Sequence, residues 1–172
     1  MKNVTKKARN CMLKHSILAA SGCGVFKAIV PIPKAEVGAL TYTTMDMCKK
    51  IAHIYGYDHL SGLTQLIGVA TGAAFGVSLA TDIMQFIPGI NVAASMASTS
   101  ILHLVTGSIM IGVFEMMDAG IIDATNLKDS KVTSIINSFA ANATTLVGGV
   151  FRGDISLHSL NIISNNKAEN LT

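Results

Sequence analysis

A chain of 172 residues is the size of one domain and long enough to bury a core without staples. Half of the residues are apolar and 13% are charged, against about a quarter in ordinary soluble domains, and tryptophan is absent. Three scattered cysteines, Cys11, Cys23 and Cys48, exclude a disulfide framework or a zinc site. They read instead as reduced, core-facing thiols.

The net charge of +3 is unevenly spread. Residues 1–34 carry Lys2, Lys6, Lys7, Arg9, Lys14, Lys27 and Lys34 and no acid. Such a leader before an apolar segment belongs on the cytoplasmic side of a membrane, where Lys2, Lys6, Lys7 and Arg9 face anionic lipid. It lacks the interleaved aromatics and arginines of a nucleic-acid arm, so no nucleic-acid partner is expected. The apolar run over 12–30 is interrupted by Lys14, His15 and Lys27, which argues against an export signal.

Leu13, Ile17, Ala20, Gly24 and Ala28 recur at spacings of three and four and predict a first helix over about 5–29. Pro31 and Pro33 force an extended turn, because each proline drives the preceding residue away from helix. A second helix follows through Ala35, Leu40, Met47 and Ile51 to Tyr55, and Gly56 stops it. Asp58 or Ser61 is the expected cap of the next.

From Leu60 to Phe114 the only formal charge is Asp82. A long helix over 60–86, a break at Pro88-Gly89, and a second apolar helix capped by Asn91 predict a central antiparallel hairpin that must be sheltered from water. Gly68, Gly72 and Gly76 fall on one face of the first arm, where close helix packing or self-association would compensate their low helix propensity. A further amphipathic helix over 129–147 presents Val132, Ile135, Ile136, Phe139 and Ala143, with Gly148-Gly149 as its end. The expected fold is all-α, with about five helices in a domain over 1–150 and a weakly structured or docked tail over 151–172.

The run Ala28-Ile-Val-Pro-Ile-Pro-Lys-Ala-Glu-Val-Gly-Ala-Leu40, then Met45, Ile51-Ala52-His53-Ile54-Tyr55-Gly56 and Ile87-Pro88-Gly89, resembles the family of helical proteins known as domain of unknown function 697. The proline-punctuated plan ending in tyrosine-glycine is also similar to the EcsC family. The likeness spans about residues 20–120, with Glu36 where the family has an aspartate after its proline turn. It implies an all-helical, membrane-associated module accessory to a GTPase on a separate chain. It implies no reaction.

The chain has no GxxxxGK[ST] loop, no HExxH and no GxSxG elbow. No catalytic residue, metal site or cofactor is therefore expected. Asp82 and His103, the ionisable groups of the two apolar arms, are candidates for a polar relay, with a neutral His103 bonded to a neighbouring helix as the plainer reading. The expected function is non-enzymatic: a membrane-associated helical module that self-associates through small-residue faces. The alternatives are a soluble, cytoplasmic bundle acting as an adaptor and a pore-forming protein.

Overall fold

The computed structural model describes the backbone over residues 3–29, 35–75, 94–153 and 155, and side chains over 3–19, 41–75, 100–153 and 155. Regular structure there is entirely helical: α1 (Asn3–Ile29), α2 (Ala35–Tyr55), α3 (Leu63–Phe75), α4 (Ala94–Asp118), α5 (Ser130–Ala141) and α6 (Ala143–Arg152). Six helices thus stand among the described residues, where periodicity predicts about five over the chain. Pro31, Pro33, Gly76, Asp82, Pro88, Gly89 and Lys2 lie outside the described residues, and so does the tip of the expected hairpin.

The architecture follows from α4. Every side chain from Ser100 to Phe114 is buried, because apolar residues occupy all sides of this helix and no face can be left to water. The other five helices all pack on it. Among themselves they follow the order α1, α2, α3, α5, α6 and back to α1, a closed ring around a central rod. The stretch Ser100–Asp118 is long and apolar enough to cross a membrane, and 94% of it is covered by the rest of the chain. What the sequence presents as one arm of a hairpin is the shared core of a bundle.

Local chemistry sets the helix ends. At the end of α2, Gly56 takes φ +79°. There the Gly56 amide donates to His53 O at 3.1 Å and the Tyr57 amide to Ala52 O at 2.8 Å, the paired bonds by which a left-handed glycine satisfies the last carbonyls. Gly120, at φ +71°, ends α4 in the same way through its amide and that of Ile121. The cap of α3 differs from expectation. Residues 60–62 form a turn, Gly62 sits at φ +95°, and the Leu66 amide donates to Gly62 O at 2.9 Å, so neither Asp58 nor Ser61 caps the helix.

The expected helix over 129–147 is two helices. Asp129 caps α5 by accepting from the Lys131 amide at 2.9 Å. At the other end the Asn142 side-chain amide donates to Ser138 O at 2.9 Å. That bond occupies a carbonyl of the last turn, and the chain bends there before α6 begins. Gly148 and Gly149 do not end a helix. They are buried inside α6, which runs to Arg152 and stops at Gly153 with φ +73°, so position 150 lies within a helix.

The inner face of α1 is rotated from the one that hydrophobicity suggests. Thr5, Ala8, Met12, Ser16 and Ala19 are buried, while Ile17 is 44% exposed. Two polar residues belong to that face and an isoleucine does not. The reason is close approach: α1 crosses α4 at Gly107, where a Cβ would stand 2.6 Å from Met12 Cγ and 2.9 Å from Met12 Sδ. Gly112 similarly admits the ring of Phe139, whose Cε2 and Cζ would lie 3.0 Å from a Cβ there. Among the glycines whose surroundings are described, the tight helix contacts are therefore at Gly107 and Gly112. At Gly68 and Gly72 an added Cβ meets nothing within 4 Å.

These environments have opposite consequences. Gly107→Ala and Gly112→Ala should each cost about 1–3 kcal/mol in urea unfolding, because Met12 and Phe139 are both fully buried and must move within a packed core. Gly68→Ala and Gly72→Ala should each stabilise the monomer by up to about 1 kcal/mol, through helix propensity alone.

Candidate functional site

Some of the polar side chains of α4 share one side of the helix. At 100° per residue, Ser100, His103, Ser108, Glu115 and Asp118 fall with Gly107 inside an arc of about 140°. Their partners come from α1, α2 and the turn that follows α2. Ser100 Oγ donates to Ser16 O at 3.2 Å, and Ser16 Oγ donates to Met12 O at 2.9 Å. The Thr43 and Thr44 hydroxyls lie 3.2 and 3.5 Å from His103 Nε2. Ser108 Oγ donates to Met12 Sδ at 3.5 Å. Ser16, Ser100, His103 and Ser108 are all fully buried. Thr106, outside the arc, has a buried hydroxyl with no hydrogen-bond partner among the described residues.

Toward the Gly56 and Gly120 end the seam closes on a carboxylate. Glu115 Oε1 accepts from Thr5 Oγ1 at 2.6 Å and from Tyr55 OH at 2.8 Å, joining the start of α1, the end of α2 and the end of α4. The Tyr55 and Tyr57 rings lie 5.5 and 5.4 Å from that of Phe114, and Tyr57 OH donates to Asp118 Oδ1 at 3.0 Å. Burial pushes the Tyr55 hydroxyl well above the usual phenol range, and the carboxylate of Glu115 pushes the same way. Tyr55 therefore remains a donor across the physiological range.

The outer edge of the α1–α2 contact holds an ionic cluster. Asp46 Oδ2 lies 2.7 Å from Lys50 Nζ and 3.1 Å from His15 Nε2, and His15 Nδ1 is 2.9 Å from Cys11 O. The Lys50 ammonium, and after it the His15 ring, hold the Asp46 carboxyl below its ordinary value. Burial raises the Cys11 thiol and raises the fully buried Cys48 thiol much further, which makes both poor nucleophiles at neutral pH. Among the described residues no three His, Cys, Asp or Glu side chains converge as a metal site.

The residues singled out by sequence separate in space. Lys6 and Lys7 are exposed on α1. Arg9 is not a lipid-facing group: it turns inward, donating from Nη1 to Phe151 O at 2.7 Å, where a cation is favoured at the C-terminal end of α6. Its Nε is buried without a partner among the described residues. His103 is bonded to α2 threonines, and Asp82 lies outside the described residues. Gly68 and Gly72 are exposed on α3. The seam hydroxyls of Thr5, Ser16, Thr43, Thr44 and Ser108 escape a search for apolar periodicity. The one available signal is their spacing from the apolar residues of α1 and α2.

Comparison with protein-family models finds no match, and neither do the comparisons with curated proteins and with solved structures.

The Asp46 cluster gives a signed pH dependence. A carboxyl whose folded pKa is depressed stabilises the fold above its unfolded pKa of about 3.9, and that contribution is lost as pH falls through the folded value. With the Asp46 side chain 38% exposed, Asp46→Asn should cost ~0.5 kcal/mol at pH 7. The difference between the two urea curves should shrink as pH falls below about 3.9 and disappear only below the lowered folded value. Glu115→Gln should cost more at pH 7, about 1–3 kcal/mol, since it weakens two charge-assisted bonds that hold three helices together.

Proposed function

We propose that this chain is a non-enzymatic helical module that binds the surface of an anionic membrane through the outer face of the α1–α2 pair. The observation that carries this reading is the chemistry of that face. Lys6, Lys7, Lys14, Lys49 and Lys50 are exposed on the two helices, whose acids are Glu36 and Asp46. Leu18 and Tyr42 rise from the same surface at 68% and 75% exposure. Lysines flanking an exposed leucine and tyrosine suit the headgroup boundary, where ammonium groups meet lipid phosphate and the apolar bodies enter the acyl edge. Each lysine near such a surface contributes about 1 kcal/mol.

The open glycine face of α3 supports self-association as a second property of the same module. Gly68 and Gly72 receive no compensating contact inside the chain, and Phe75, on the same helix, is 65% exposed. A facing copy of α3 would meet backbone at close range. The resemblance to domain of unknown function 697 supports a membrane-linked role beside a separate GTPase chain. The rival reading, a soluble adaptor bundle, is favoured by the cover over α4, which accounts for its hydropathy without lipid.

Cosedimentation with phosphatidylcholine vesicles containing phosphatidylserine, an anionic lipid of the cytoplasmic leaflet, separates the two. The chain should pellet with these vesicles and remain in the supernatant with phosphatidylcholine alone. Lys7→Glu with Lys14→Glu, and Leu18→Glu with Tyr42→Glu, should each reduce the bound fraction at least tenfold without changing the helical circular dichroism. A chain that stays in the supernatant with both kinds of vesicle is the adaptor.

A further inference from the structure

We infer that His15 is a proton sensor for the surface of α1 and α2, taking up a proton between Asp46 and Lys50 as the solution turns acid and so tightening the hold of those helices on an anionic membrane. This rests on the membrane-surface reading above, and adds to it a regulating signal.

The geometry around the ring carries it. His15 Nδ1 lies 2.9 Å from Cys11 O, an acceptor one turn back on α1, so that nitrogen keeps its proton in both charge states. The other nitrogen has a choice. Nε2 stands 3.1 Å from Asp46 Oδ2 and 3.5 Å from Lys50 Nζ, and those two atoms of α2 are 2.7 Å apart, which closes a triangle. A protonated Nε2 donates to the carboxylate. A bare Nε2 has no proton to give and accepts from the ammonium instead. Each state finds its partner in the arrangement observed, and the side chain is 15% exposed, so protons reach it from solvent.

The groups around the triangle keep their charges while the ring changes its own. Lys50 and then His15 hold the Asp46 carboxyl below its ordinary value, and Asp46 raises the Lys50 ammonium. On α1 the neighbours are Lys14 and the Cys11 thiol, which burial raises and whose Sγ lies 3.7 Å from Nδ1. On α2 Tyr42 acts on Lys50 from beyond it. None of these residue types loses or gains a proton between about pH 5 and 8 from such positions, whereas imidazole does. The charges of α4 are Glu115 and Asp118, and both lie at its far end, bonded to Thr5 and Tyr57.

The proton therefore alters the surface itself. With a neutral ring Lys50 and Asp46 cancel, and Lys14 and Lys49 are left beside Leu18 and Tyr42. With a charged ring two cations share one carboxylate, and the surface gains a positive charge. One such charge near anionic lipid strengthens binding about fivefold.

Cosedimentation with the phosphatidylserine vesicles at about pH 8 and about pH 5.5, the two sides of the imidazole range, tests this. The gain in binding on acidification should be about fivefold larger in the unmodified chain than in His15→Gln, a comparison from which the other histidines cancel. His15→Arg, a permanent cation at the same place, should bind about fivefold more tightly than His15→Gln at both pH values. In the free, unmodified chain the ring nitrogen chemical shifts of His15 should report Nδ1 protonated throughout and Nε2 protonated at the lower pH alone, a measurement that needs no variant to fold. If the chain pellets but His15→Gln gains as much on acidification as the unmodified chain, or if the ring keeps one protonation state, the inference fails although surface binding stands. A chain that pellets at neither pH overturns the surface reading, and this one with it.

Discussion

A helix that is apolar on every side cannot be finished by one partner. In this protein α4 imposes that demand, and the ring of five helices answers it with what each can spare. Val132, Ile135, Ile136 and Phe139 line α5, Met47, Cys48, Ile51 and Ala52 line α2, and Leu63, Leu66, Ile67 and Ala70 line α3. The tightest contact belongs to α1, whose small inner residues let Met12 lie against the bare backbone of Gly107. A side chain at that position would hold the two helices apart along their whole crossing. The packing of a dense interior is unforgiving at such points, and far more tolerant along the outer face of α3.

The polar seam modifies this picture. Hydroxyls in a core are costly unless they are bonded, and each seam residue finds a partner on α1, on α2 or in the turn after α2. Apolar faces can slide past one another by a turn at modest cost, but Ser100 on Ser16, His103 on Thr43 and Glu115 on both Thr5 and Tyr55 fit a single register. The hydrophobic ring supplies most of the cohesion, and the seam selects which way α1 and α2 lie on the rod. Both helices also carry the basic outer surface, so the surface proposed to meet lipid and the surface that holds the core helix are opposite sides of the same pair.

Much of this was legible in the residues. The all-helical class, the stop at Gly56, the apolar rod ending near Phe114 and the buried face of α5 follow from periodicity, from glycine at positive φ and from the scarcity of charge. The departures share a cause: they depend on geometry that hydropathy does not encode. Ile17 is as apolar as any core residue, but the crossing at Gly107 turns Ser16 inward in its place. Gly68 and Gly72 have the regular spacing of a packing face and open outward, while Gly107 and Gly112 lack that spacing and carry the close contacts. Arg9 counted as one more cation until the end of α6 came within its reach. The apolar stretch ending near Phe114 suits lipid by length and composition, yet it is covered by its own chain, as the bundle alternative requires.

The bend at Asn142 has a geometric result. A straight rod laid against a cylinder touches it along one line, whereas a rod broken once touches it along two and begins to enclose it. Because the chain turns between α5 and α6, Phe139 and Leu146 both arrive at Gly112, the first with ring carbons 3.0 Å and the second with Cδ1 3.5 Å from where a Cβ would stand. That glycine of α4 is thereby gripped by a single stretch of chain, and among the described residues α6 closes the ring back onto α1.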